Sequence, residues 1–246
     1  MSRLREALEH GSVTEKTLIY GTSYIDSPDR AWLIDKWGKL ALRLNPGIDI
    51  LIVNTPAVPN HFPSMHPVFR RHDFADNIGH LRQDNDGQRD GWGRAMCWGA
   101  QYAMDNGYTN VALIECLLLF AESVTPIFTQ MRDAGKTMAQ PHSSPHNWME
   151  SALTFMDVNW LRAIDFPTKY DWPSMVWSTR SHVYPEHRLT DVARQYGKHM
   201  QLEMLGCRDE VRPVTEQEAG YFDWLTHSKR ATYEAFLRGH GHGDLL

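Results

Sequence analysis

Glu115 stands where an apolar run stops: Val111-Ala-Leu-Ile114 precedes it, and Cys116-Leu117 follow. A carboxylate at the end of a buried strand is only partly exposed and needs a partner. A divalent cation with phosphate oxygens is an economical one. Two acids spaced i and i+2 both reach one Mg2+ or Mn2+, but here the second position is Leu117. Arg94 follows Gly91-Trp92-Gly93 in the first turn of a predicted helix. A cation there reaches an anion held at the same helix N-terminus, or pairs with Asp90 beside it. His142 and His146 are spaced i, i+4 but lie among prolines, which argues against a helical metal pair. No HExxH, GxSxG or P-loop motif occurs, which disfavours zinc hydrolase, serine hydrolase and P-loop chemistry.

The elements that must position these groups follow from periodicity. Thr17 to Tyr24 reads as a strand ending in small polar residues. Ser27-Pro28 signals a helix start, and Asn45-Pro46-Gly47 its end. Ile48 to Val53 is almost wholly apolar, as in a parallel strand buried on both faces. These three elements make a right-handed β-α-β unit. Residues 54–90, with Pro56, Pro59, Pro63 and Pro67, read as a long irregular excursion. A helix over 91–106, a strand over 111–114, a helix over 123–134 and a strand over 136–139 are expected next. Residues 141–149 read as a polar loop, 150–157 as a strand and 158–164 as a short helix. Residues 165–188 read as irregular, 189–197 as a helix, 201–205 as a strand and 222–237 as a helix.

In an open α/β sheet, ligands bind beyond the carboxyl ends of the strands. That puts Thr22, Ser23, Tyr24, Asn54 and Glu115 along one rim. Tyr24 is suited to stack on a base, Thr22 or Ser23 to bond a ribose or carbonyl, and Asn54 to read a base edge.

The order of elements and several residues resemble the GT-A-type glycosyltransferases. Gly93-Arg94-Ala95, Ala103-Met-Asp-Asn-Gly107 and Ile114-Glu115-Cys116-Leu117 stand where that family carries its helix and the strand that ends in Asp-x-Asp. Tyr20-Gly-Thr-Ser23 and Val53-Asn54 resemble its nucleotide-binding edge. The resemblance covers roughly residues 17–165. It implies transfer of a sugar from a nucleotide-diphosphate sugar to an acceptor hydroxyl, usually with Mn2+ or Mg2+ bridging the pyrophosphate. Its donor site would comprise Thr22, Ser23, Tyr24, Asn54, Arg94 and Trp148. Asp-x-Asp is degenerate here. Three readings stay open: Glu115 holds the metal, alone or through water, helped by a distal histidine such as His227, His240 or His242; Arg94 and other cations replace it; or the enzyme is impaired. An inverting member needs a general base, for which Glu186 and Glu150 are equal candidates. Trp148, close to Glu150, is placed to stack on a sugar ring. The rivals are a nucleotidyltransferase and a catalytically impaired nucleotide-sugar-binding or scaffold protein.

Composition bounds the rest. The formal net charge of −5, with both signs mixed along the chain, argues against a dedicated nucleic-acid surface. Three widely spaced cysteines suggest neither disulfides nor a zinc knot, and with the charged start they point to a cytoplasmic location. No apolar run approaches the length of a membrane span. The expected architecture is α/β: a single GT-A-like domain with a mostly parallel, Rossmann-like central sheet flanked by helices. It would comprise an N-terminal arm (1–16), a nucleotide-binding half (17–140) and an acceptor-side half (141–246).

Overall fold

The two hydrophobic strands of the β-α-β unit pair in parallel, as their composition requires. β1 (Thr17–Ile25) runs beside β2 (Asp49–Pro56), with Ser23 opposite Asn54 and Tyr24 opposite Thr55. Leu18, Ile19, Ile52 and Val53 are wholly buried. Between them, α1 (Pro28–Leu44) starts at Ser27, whose extended backbone and hydroxyl cap the Arg30 N–H at 3.3 Å. Asn45 ends that helix and also accepts, through Oδ1, from Ser123 Oγ and the Val124 N–H. The computed structural model describes residues 15–56, 70–79, 87–116, 118–143, 148–149, 151–176, 184–202, 222–223 and 230–246.

Further strands are β3 (Arg70–Asp73), β4 (Asn110–Ile114), β5 (Leu119–Phe120), β6 (Met138–Ser143), β7 (Trp148–Met149), β8 (Leu153–Asp157), β9 (His199–Leu202) and β10 (Phe222–Asp223). The main sheet runs β3-β2-β1-β4-β8-β6-β7, with β9 also on β6. Its pairs are parallel at β3–β2, β2–β1, β1–β4 and β6–β9, and antiparallel at β4–β8, β8–β6 and β6–β7. A mostly parallel sheet is thus present. The division expected at 140/141 falls inside β6, and one sheet takes strands from both halves.

Helices cover both faces. One core packs α1, α3 (Thr125–Asp133) and α7 (Arg230–Gly239) on the sheet through Trp37, Phe128, Tyr233 and Leu237. The other packs α2 (Gly91–Asp105), α4 (Val158–Ile164), α5 (Phe166–Tyr170) and α6 (Pro185–Tyr196) through Met96, Leu161, Tyr170 and Leu189. Among the described residues, no helix is long and apolar enough to cross a membrane.

Several expected boundaries are corrected. β3 lies within the stretch expected to be irregular. Its charged, mostly exposed residues hide it from pattern reading and suit it to a sheet edge. Residues 141–149 are not all loop, because β6 continues to Ser143 and β7 pairs back on it. α5 and the start of α6 occupy part of 165–188, each with a proline in the first helical turn, where its missing N–H costs nothing. β8 starts at Leu153 rather than 150, and β9 at His199 rather than 201. The tail is not one helix: Phe222–Asp223 pair with β5, and α7 spans Arg230–Gly239.

Candidate functional site

At the carboxyl ends of the parallel strands, a chain of side-chain bonds crosses the rim. Ser23 Oγ donates to Asn54 Oδ1 at 2.9 Å, and Asn54 Nδ2 donates to Asp73 Oδ1 at 2.9 Å. Arg71 Nε donates to the same Asp73 oxygen at 2.8 Å. Asn54 is 2% exposed, so these bonds satisfy an amide that would otherwise be costly to bury. The parallel register explains the meeting: it sets Ser23 beside Asn54, and Asn54 beside Asp73. Tyr24 projects at 41% exposure, with the Arg30 guanidinium 5.7 Å from its ring. Thr22 joins the rim to β4 through its carbonyl, which accepts from the Cys116 N–H at 3.5 Å.

Arg94 lies on the first turn of α2, as expected, and pairs with neither Asp90 nor open solvent. Its guanidinium lies 4.0 Å from the Phe74 ring centroid and donates to Asp76 Oδ1 and the Asp76 carbonyl, both at 2.7 Å. The Arg94 side chain is 10% exposed, while that of Asp76 is 66% exposed. Arg94 therefore clamps the segment after β3 against the helix.

Glu115 follows β4 directly. Its N–H donates to the Ala152 carbonyl at 2.9 Å, and its Oε1 accepts from Trp92 Nε1 at 2.8 Å. The Cys116 side chain points the other way, into the core. A Cβ on Gly21 would fall 2.4 Å from Cys116 Sγ and 2.9 Å from the Trp37 ring. Burial pushes the Cys116 thiol well above its ordinary pKa. Leu117 and His227 lie outside the described residues. Among those described, no three His, Cys, Asp or Glu side chains are grouped to hold a metal ion.

Glu186, in the first turn of α6, accepts from Ser151 Oγ at 3.2 Å. Ser151 adjoins Ala152, whose carbonyl holds Glu115, so the two acids border one turn before β8. Glu150 lies outside the described residues. Trp148 belongs to β7, opposite Ser143, and its side chain lies outside the described set.

One buried acid was absent from the expected set. Asp90 is 0% exposed and caps α2: its Oδ1 accepts from the Gly93 N–H at 2.7 Å, and its Oδ2 from the Tyr170 hydroxyl at 2.8 Å. Burial raises its pKa to about 6, against the opposing pull of those two bonds, and Glu186 adds to the rise. The sequence signal for Asp90 was present, since aspartate is a preferred N-cap before a helix. Asp73, Trp92, Ser151 and Tyr170 carried no such local signal.

No protein-family model and no curated protein sequence matches this chain. Solved structures do. A glycosyltransferase involved in the glycosylation of the major capsid of PBCV-1 aligns over 94% of this chain and 100% of its own, with TM-score 0.56 and 10% identity. The glycosyltransferase GlyE of Streptococcus pneumoniae TIGR4 aligns over 77% of this chain, with TM-score 0.52 and 12% identity. The chain has the GT-A fold. It spans 45% of the length of GlyE. Within the GT-A fold of this chain, Ser23, Asn54, Arg94 and Glu115 all lie at or beside the carboxyl ends of the first parallel strands.

Proposed function

We propose that this protein is a glycosyltransferase that moves a sugar from a nucleotide-diphosphate sugar to an acceptor hydroxyl. The observation that carries the reading is the Ser23–Asn54–Asp73 network, set at the carboxyl ends of three parallel strands in a GT-A fold. The carboxyl ends of the strands are where open α/β sheets bind nucleotides. The donor's base and ribose would lie on Thr22, Ser23, Tyr24 and Asn54, and its pyrophosphate toward Arg94 and Glu115, with Trp148 beside the sugar.

In the reaction, the acceptor oxygen forms a bond to the anomeric carbon. The bond from that carbon to the phosphate oxygen breaks, and the nucleoside diphosphate leaves with the electron pair. In an inverting course the acceptor proton passes to a carboxylate, Glu186 or Glu150. A divalent cation enters the proposal only through Glu115 with His227, and no step is assigned to it. A second reading, a nucleotide-sugar-binding protein with impaired catalysis, is favoured by one observation: the Trp92 indole holds an oxygen of Glu115.

Thermal shift with UDP-, GDP-, dTDP- and CMP-sugars, with and without Mn2+, tests the proposal. Stabilisation by one of the UDP-, GDP- or dTDP-sugars is expected, followed by release of the nucleoside diphosphate in the presence of acceptor, whereas stabilisation by CMP-sugars alone overturns the diphosphate donor. Stabilisation by none of the panel sinks both readings. Stabilisation without turnover selects the second.

A further inference from the structure

We propose that Asp90 is a positioning residue of this site: with Tyr170 it ties the helix that presents Trp92 and Arg94 to the segment that carries Glu186. The inference rests on the transferase reading and extends it to a residue that touches no ligand. Asp90 is fully enclosed, so it acts only through what it holds. Both its oxygens are engaged, by the Gly93 N–H from α2 and by the Tyr170 hydroxyl from α5. The fit is close: a Cβ on Gly93 would fall 2.1 Å from Asp90 Oδ2 and 2.4 Å from Tyr170 Cε1.

Gly93 lies between the two rim side chains. On one side Trp92 reaches Glu115, and on the other Arg94 reaches Phe74 and Asp76. Tyr170 is anchored from its far side by Arg188, whose Nε donates to the Tyr170 carbonyl at 2.7 Å and whose Nη2 donates to the Lys169 carbonyl at 2.9 Å. Arg188 stands two residues after Glu186 on the same helix. One buried carboxylate thus joins the donor-side helix to the acceptor-side helix.

A cap alone does not explain the choice of residue. Ser27 caps α1 with a neutral hydroxyl, whereas an enclosed carboxylate carries a desolvation penalty. The ionisable groups facing Asp90 are Tyr170 from α5, Glu186 from α6 and Cys97 from α2 itself. Among the described residues none of these is a cation, so hydrogen bonds hold its charge, and its bonding pattern changes when it gains a proton. Groups whose ionisation is perturbed by burial and a specific partner are enriched at functional sites.

The Trp92 indole N–H resonance, assigned with Trp92→Phe, tests this without any ligand. In the wild-type protein it should titrate with a midpoint near the Asp90 value of about 6. In Asp90→Asn that inflection should vanish. Nucleotide affinity, measured for UDP and GDP by thermal shift, should fall by about tenfold in Asp90→Asn. Tyr170→Phe, which keeps the ring and removes only the hydroxyl, should displace the same resonance, and it serves if Asp90→Asn does not fold. A Trp92 resonance with the same pH course in wild type and Asp90→Asn, or unmoved in Tyr170→Phe, overturns the proposal. If the wild type binds neither nucleotide, the transferase reading fails, and the Trp92 titration still decides whether Asp90 positions the helix.

Discussion

Trp92 and Glu115, on different elements and 23 residues apart, share a hydrogen bond of 2.8 Å from the indole N–H to Oε1. The bond spans the gap between the first turn of α2 and the end of β4. It fixes the orientation of the acid that the strand presents to the rim. It also sets the terms on which Glu115 can bind anything else.

Trp92→Phe removes that donor and keeps most of the ring. A hydrogen bond to a charged group contributes about 1.5–3 kcal/mol when buried, and the lower end applies to a half-buried pair. The variant should therefore unfold at slightly lower urea. If Glu115 is a metal ligand, its nucleotide-dependent thermal shift should rise with Mn2+ more than that of the wild type. Leu117→Asp should act in the same direction by restoring a second acid. No added Mn2+ response in either variant would remove the metal from the proposal.

Asn54→Ala deletes the acceptor of Ser23 and the donor to Asp73 in one step. A buried network that loses its central member leaves polar groups unpaired, at a cost of about 1–3 kcal/mol. Nucleotide-dependent stabilisation should fall sharply. Asn54→Asp, of nearly the same shape, should be worse, because it sets a second carboxylate against Asp73. Equal nucleotide affinity in both variants and wild type would place the nucleoside elsewhere.

Asp90 makes stability depend on pH in a defined direction. Its pKa is raised by burial from 3.8 to about 6 in the folded chain. The folded state therefore holds more protons than the unfolded state between those values, and stability falls as pH rises through that window. The full effect is about 3 kcal/mol at one pKa unit per 1.36 kcal/mol. Urea denaturation from pH 4 to pH 7 should show this decline in wild type and much less of it in Asp90→Asn. Parallel profiles would show that Asp90 ionises normally.

Gly93→Ala should be strongly destabilising, because the new methyl would lie 2.1 Å from Asp90 Oδ2. Overpacking of this kind typically costs about 1–3 kcal/mol. Gly239→Ala, at the end of α7 with nothing within 4 Å, is the control and should leave the melting temperature almost unchanged. Similar melting temperatures for the two variants would mean the Asp90–Tyr170 contact is looser than described.

The sequence by itself determined the elements whose signals are local. The apolar runs of β1, β2 and β4, the Ser27-Pro28 start of α1 and the Asn106-Gly107 end of α2 all come from neighbouring residues, because burial and capping act within a few positions. The rim residues Ser23, Asn54 and Glu115 followed from strand order alone. Only the tertiary structure decided who meets whom. β3 and β10 are visible through their partners, not their own patterns. Asp73 joins Asn54, Asp76 takes Arg94, and Tyr170 reaches Asp90 across 80 residues. A hydropathy pattern encodes which face of an element is buried. The partner of a buried polar group depends on how helices dock and strands order, and those are set by the whole core at once.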